Sequence, residues 1–352
     1  MNLHNRDIRL DAIRGIAILL AMGWHFNVVT GVYWFDIALF PGRYVGWAGV
    51  DLFFVLSGFL VARLIFSEIQ RTGYFDKKRF FIRRIYRLWP VLYVYVIAQA
   101  VLGSNPLSEF VPQTFFHVQN YFPTPFSHLW SLAVEEHFYF IAAFLIPTLM
   151  IGRSAVDRAM LLICVVLMLT LLLRIFAVSQ GVPDVKVQTY THFRMDSLSV
   201  GVLLAILYVY KRPFFDSLVS IRAINVLVLV ISLVALVSLE ETTYKFSFSY
   251  VAAYFAGASM IFLVLSIEVK GVISAGLFNV LAFFGLWSYS LYIWHNALGK
   301  IGRSVLSRFV FEASPALIVF VEYVVAVIGS ILIARMIERP AIALRDKMFP
   351  RR

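Results

Sequence analysis

Apolar residues run along this chain in blocks of about 20, separated by short polar stretches. Ten such blocks stand out, at 12–31, 47–66, 85–102, 128–151, 159–178, 192–210, 222–239, 248–267, 278–299 and 315–337. As a helix, each approaches the length of a ~30 Å hydrocarbon core. None shows the ten-residue alternation of a barrel strand, so the pattern predicts an all-α, polytopic membrane helix bundle. Several blocks are interrupted by ionisable residues at helical spacing, and those interruptions are where chemistry is sought.

Composition agrees with the pattern. The 352 residues are 61% hydrophobic and 14% charged, with a mean hydropathy of +0.82; soluble domains carry about 25% charge. The formal net charge of +11 raises the question of nucleic acid, but most cations flank the apolar blocks, as the positive-inside rule expects. With the N-terminus inside, inner segments hold about 20 Lys and Arg against about 6 outside, which predicts both termini in the cytoplasm. Arg6, Arg9, the 77–87 cluster, Lys270, Arg351 and Arg352 count as inner. Arg43, Lys186, Lys245, Lys300, Arg303 and Arg308 count as outer, and the three between 300 and 314 are the misfit. The first block reads as an uncleaved span. Cys164 sits alone in an apolar run and reads as packing. Nothing has the spacing of a metal site. The prediction is one transmembrane domain over 1–340, then a basic cytoplasmic tail at 341–352.

The first block carries the sharpest signal. His25 stands three helical turns beyond Arg14 on nearly the same face, roughly 16 Å along the axis, with Asp11 on the same stripe. An imidazole at that depth can take a proton from a hydroxyl near neutral pH, or can simply tie two helices together. In the second block, Asp51 falls near the outer edge, and Gly49, Ser57 and Gly58 allow close helix approach. Arg84-x-x-Arg87 begins the third block. Two guanidiniums on adjacent turns suit a phosphate, and anionic lipid is the alternative.

In the fourth block His128, Ser131, Glu135 and Tyr139 form one polar stripe behind Trp130. Glu135 falls roughly 10 Å below the outer surface, near the depth of His25, where it could orient the imidazole, bind a hydroxyl or serve a structural network. Arg194 and Asp196 open the sixth block and pair either with neighbouring spans or with each other at the surface. Ser288, Tyr292 and His295 make a stripe in the ninth that is either helix glue or part of a site. Arg63, Arg174 and Arg335 are expected to snorkel from span ends. The loop at 103–127 lacks Lys and Arg but is rich in Pro, Phe and Tyr, so it either lines an aromatic belt or covers a site.

Together these stretches resemble the membrane-bound acyltransferase-3 family, which includes O-antigen and nodulation-factor O-acetyltransferases. The matching residues are Arg9-Leu-Asp-Ala-Ile-Arg14-Gly with His25, Gly49 to Gly58, Arg83 to Pro90, Trp130-Ser-Leu-Ala-Val-Glu-Glu136, Arg194-Met-Asp196, Ser288-Tyr-Ser-Leu-Tyr292 with His295, and Glu338-Arg-Pro340. One departure is His137, where the family pattern leads to an expected glutamine.

The resemblance implies ten spans, acyl-CoA as a cytoplasmic co-substrate, and an acyl group, commonly acetyl, passed to an outward-facing sugar or lipid-linked glycan. It implies no permanently bound cofactor, a multi-pass protein of the cell (inner) membrane, and an esterase-like periplasmic partner that is separate or absent. In this scheme His25 is the general base or an acyl relay, Glu135 its companion, and Arg14, Arg84, Arg87 and Asp11 the donor site. Asp51, Trp130, Ser131, Arg194, Asp196, Tyr292 and His295 bind the acceptor or hold the structure. The rival readings are a proton-coupled transporter or glycan flippase using the same buried charges, a different membrane acyltransferase architecture, and a structural scaffold.

Overall fold

The structure, a computed structural model, describes residues 7–103, 105–239, 245–269 and 271–349. Arg6, Lys270, Arg351 and Arg352, counted above among the inner cations, lie outside the described residues. The described residues fold into helices joined by turns and loops, with no strand among them. In chain order the helices are α1 (Ile8–His25), α2 (Tyr33–Val45), α3 (Gly49–Thr72), α4 (Lys77–Leu102), α5 (Val111–Phe115), α6 (Trp130–Leu149), α7 (Ala155–Ser179) and α8 (Asp184–Thr189). They continue with α9 (Met195–Tyr210), α10 (Arg212–Ser220), α11 (Arg222–Ser238), α12 (Lys245–Ser266), α13 (Val272–Phe309), α14 (Pro315–Ile333) and α15 (Arg339–Met348).

Every predicted apolar block is helical, but its ends often move. Among the described residues seven helical stretches are long and apolar enough to cross a membrane, and α9 with α10, bent by 114°, makes an eighth if taken as one span. The blocks at 12–31 and 222–239 fall short of that test. α1 contains Arg9, Asp11 and Arg14, and α11 has only 17 residues.

The first block was predicted to run to residue 31, yet α1 ends at His25. The next residues form a tight loop in which Gly31 adopts φ +76, a left-handed conformation that glycine takes without strain. Asp36 accepts hydrogen bonds from the backbone N–H groups of Thr30 and Gly31, and Arg43 donates to Asn27, to the Val28 carbonyl and to Asp36. The segment read as an outer loop is therefore a helix, α2. It runs through a 3-10 turn into α3, so that Tyr33–Thr72 forms one 40-residue helical stretch.

A second correction concerns residues 300–314. α13 is 38 residues long and reaches Phe309, so Lys300, Arg303 and Arg308 lie on a helix rather than in a loop. Arg303 pairs with Glu322 of α14 at 2.7 Å, and Glu322 is buried. One of the three cations that did not fit the expected charge distribution is thus partly neutralised by a carboxylate one helix away.

The chain divides into two compact units, 1–49 with 78–105 and 271–352, and 50–77 with 106–270. In the first, α1 crosses α13 at Gly15 and Gly285. A Cβ on either would run into the backbone carbonyl of Leu281 or Asp11, so these helices meet backbone to backbone. Residues 341–348 of the predicted tail belong to helix α15, anchored where Arg83 of α4 donates to Asp346 and to the Phe349 carbonyl.

In the second unit, α3 and α9 cross in the same way at Gly58 and Gly201. Its interior is built on charge. Asp51 accepts from Arg194 at 2.7 Å and from Ser197 at 2.8 Å. Asp196 accepts from Arg174 at 2.6 Å. All four ionised residues are at most 1% exposed. Arg174 was expected to snorkel; instead α7 carries it inward, where it also donates to the carbonyls of Phe193 and Ser247. Two carboxylates balance two guanidiniums, which is the condition under which such charges persist away from water.

Candidate active site

His25 is the last residue of α1, where the chain leaves the helix, and it is exposed. Its ring lies 5.0 Å from that of His295 of α13, tilted by 52°. His295 is fully buried. Its Nδ1 lies 3.0 Å from the Leu291 carbonyl oxygen and 2.8 Å from that of Tyr292. Carbonyl oxygens only accept, so in the neutral ring Nδ1 carries the proton and Nε2 keeps its lone pair. Phe26 packs edge-on against both His295 and Tyr323 of α14 and holds the C-terminal turn of α1 to α13 and α14. Beyond it, the Asp36–Arg43 clamp fixes the loop that follows His25. Of the predicted site residues in this unit, the structure therefore brings His25, Tyr292 and His295 together.

Further down α1, Arg14 donates to Asp11 at 2.6 Å, so part of its donor capacity is already engaged. Arg84 and Arg87 lie half-buried on adjacent turns of α4, with Arg84 5.4 Å from the ring of Phe80. Among the described residues Arg87 has no carboxylate partner, as a phosphate ligand would need.

In the other unit, Asp51, Arg194 and Asp196 form the buried ion network. Trp130 lies against it, 5.0 Å from the Arg194 guanidinium, which stacks at 3.7 Å over Tyr250. Neither carboxylate is accessible, so their visible work is to join α3, α7 and α9. Ser131 is buried on α6. Glu135 is half-buried and accepts from Tyr139 at 2.9 Å, and Tyr139 shares a 2.8 Å hydrogen bond with Ser57 of α3. The predicted polar stripe on α6 is thus tied to the small-residue face of α3.

The aromatic loop is anchored rather than loose. Asn120 donates to the Thr191 hydroxyl at 2.8 Å and to the Thr189 carbonyl, and Gln119 donates to the Leu129 carbonyl. His137, the departure from the family pattern, holds Thr191 through Nδ1 at 2.7 Å. His117 sits in the left-handed region at φ 54, unusual for a residue with a Cβ. Burial first, and the neighbouring His137 second, pull its imidazole down to about 4, so it is neutral at physiological pH. Tyr121 packs against Tyr190 and His192, and its ring lies 6.2 Å from that of His137.

Sequence reasoning missed Glu322, the Asp36–Arg43 clamp and the inward course of Arg174. Glu322 had a usable signal: a lone carboxylate in the middle of an apolar block asks for a cation, and Arg303 was the unexplained one.

No solved structure matches the chain. A Staphylococcus aureus (strain COL) protein provisionally named an O-acetyltransferase is 29% identical over 94% of this chain and 56% of its own length. The peptidoglycan O-acetyltransferase OatA of Listeria monocytogenes is 26% identical over 84% of this chain and 50% of its own. A Bacillus subtilis protein, YrhL, provisionally named a peptidoglycan O-acetyltransferase, is 30% identical over 59% and 34%. The chain thus spans about half the length of the relatives it matches most extensively. The model of the acyltransferase-3 domain matches residues 7–335, and on that match the chain belongs to the acyltransferase-3 family.

Proposed function

We propose that the chain is a multi-pass membrane O-acyltransferase. It moves an acyl group, acetyl by analogy with the names of its relatives, from cytoplasmic acyl-CoA to a hydroxyl of an outward-facing sugar or glycan. Counting α1 and α11 with the eight helical candidates makes ten spans and puts both termini in the cytoplasm, in keeping with the charge distribution. The observation that carries the reading is the pairing of an accessible His25 with a buried His295 whose tautomer is set by two backbone carbonyls.

In this reaction His25 takes the proton of the acceptor hydroxyl as its oxygen attacks the thioester carbonyl carbon. The carbon–sulfur bond breaks, and the imidazolium returns its proton to the departing thiolate, so nothing is left over. Because the thiolate is a good leaving group, the protein mainly supplies proximity and a base. His295 acts as a positioning residue, accepting from His25 and fixing which nitrogen faces the acceptor, in the way a base is oriented by a third group. Arg84, Arg87 and Arg14 hold the donor phosphates.

The test is labelled acetyl-CoA supplied to the full chain in liposomes, with a panel of glycans that includes peptidoglycan fragments on the other side. Alkali-labile label on a glycan is the expected result. If no acceptor is labelled and the thioester stays intact, the reading is defeated. Replacing Arg84 and Arg87 together by alanine is expected to weaken CoA binding by at least about tenfold, since charge-assisted hydrogen bonds contribute about 1.5–3 kcal/mol each. Titration of CoA measures this, and unchanged affinity removes the phosphate assignment.

A further inference from the structure

A second group of arginines lies in the same unit as Arg84 and Arg87, and no step above uses it. α14 continues into α15 through a π-helical turn, Ala334–Glu338. Such i→i+5 turns are rare and often mark functional sites. This one turns Arg335 and Arg339 towards the same indole: their guanidiniums lie 5.9 and 4.3 Å from the ring of Trp287 on α13. Both arginines are exposed, and among the described residues neither has a carboxylate partner. Trp287 is 3% exposed, and its Nε1–H is buried without an acceptor among the described residues.

Two contacts set the level of this group along the helices. Ser290, less than one turn from Trp287, donates to Glu338 at 2.7 Å. Tyr289 donates to the Leu88 carbonyl at 2.5 Å, and Leu88 is the residue after Arg87. Arg87, Trp287 and Arg339 therefore lie within about one helical turn of each other in height. The mode of attachment matters. A carboxylate would neutralise a guanidinium and occupy its N–H groups, whereas an aromatic face holds it and leaves charge and donors available. A cluster of restrained, uncompensated arginines is a phosphate site waiting for its anion.

We propose that Arg335 and Arg339, held over Trp287, form with Arg87 a binding site for a phosphate-bearing ligand. The acyltransferase reading is needed only to name that ligand: the nucleotide phosphates of the acyl-CoA donor, reached from the cytoplasmic side of the expected topology. An anionic lipid headgroup offers the same chemistry, and the experiment separates the two sources.

The full chain in phosphatidylcholine nanodiscs is titrated with CoA, with inorganic pyrophosphate and with pantetheine. In parallel, phosphatidylglycerol retained by the purified protein is measured. Arg339→Gln and Arg335→Gln are each expected to weaken CoA and pyrophosphate binding by about tenfold or more, and Arg339→Lys by less, while pantetheine binding stays unchanged. If phosphatidylglycerol retention falls instead and CoA binding does not, the site takes lipid phosphate. If the parent protein binds no CoA, the donor assignment fails, and the pyrophosphate and lipid measurements still decide whether the anion site exists. Glutamine variants with the parent's unfolding temperature and unchanged binding of CoA, pyrophosphate and phosphatidylglycerol would overturn the proposal. Trp287→Phe keeps a ring under the arginines and is expected to retain at least half the affinity.

Discussion

Replacing His25 by alanine is expected to lower acyl transfer by about 100- to 10,000-fold, the range that a positioned general base contributes, while CoA binding and folding stay as they were. The separation is expected because His25 is exposed at the end of α1 and rests against His295 rather than within the core. Its removal leaves the Gly15–Gly285 crossing and the Phe26 contacts in place. His295→Ala is expected to act differently. Its ring is wholly buried and held by two carbonyls, so its loss costs some stability as well as rate. A neutral positioning partner affects the base through its tautomer, so the residual rate of His295→Ala should also show an altered pH profile, which a packing defect alone would not cause. Acetyl transfer measured with the His25→Ala protein, alongside CoA titration of the same sample, decides the matter. Turnover within threefold of the parent would remove His25 from the reaction.

Much of this arrangement could be read before any coordinates. Block length alone predicted an all-helical chain with several helices long enough to span a membrane, because hydrocarbon thickness and helical rise leave little choice. Arg14 and His25 both lie in α1, since a helix there depends only on periodicity. What periodicity cannot supply is where a helix stops for local reasons. α1 ends at His25, and Asp36 and Arg43, in the helix that follows, capture the loop between the two helices. Hydropathy reads that segment as spanning lipid to residue 31, and it reads α2 as a loop because Pro41, Gly42 and Arg43 interrupt an apolar run.

Partner choice was the other gap. Arg174, Arg194, Asp51 and Asp196 were visible as charges in or near apolar blocks, and the rule that such charges pair was available. Their spacing could not say that Asp51 would take Arg194 and leave Asp196 to Arg174, since those partners sit on α3, α7 and α9. The same holds for Arg303, whose partner Glu322 is set by how α14 folds back on α13. Chemistry was legible as residue types, and connectivity was not.

The network of the second unit makes the sharpest stability prediction. Asp51→Ala is expected to destabilise the protein by about 3–5 kcal/mol, because Arg194, 1% exposed, would lose its countercharge while remaining buried. Arg194→Met should cost about as much, for the mirror reason: Asp51 would be left with Ser197 alone. The double variant, Asp51→Ala with Arg194→Met, removes both charges and leaves Arg174 and Asp196 as a balanced pair, bonded at 2.6 Å. It should therefore be more stable than either single variant, since an apolar replacement of a whole buried pair is often close to neutral. Unfolding midpoints of the four proteins in one detergent supply the cycle, and the double variant should lose at least about 2 kcal/mol less than the sum of the two single losses. Additive losses would mean that water or another group already compensates each charge, and the ion network would then not be what joins α3, α7 and α9.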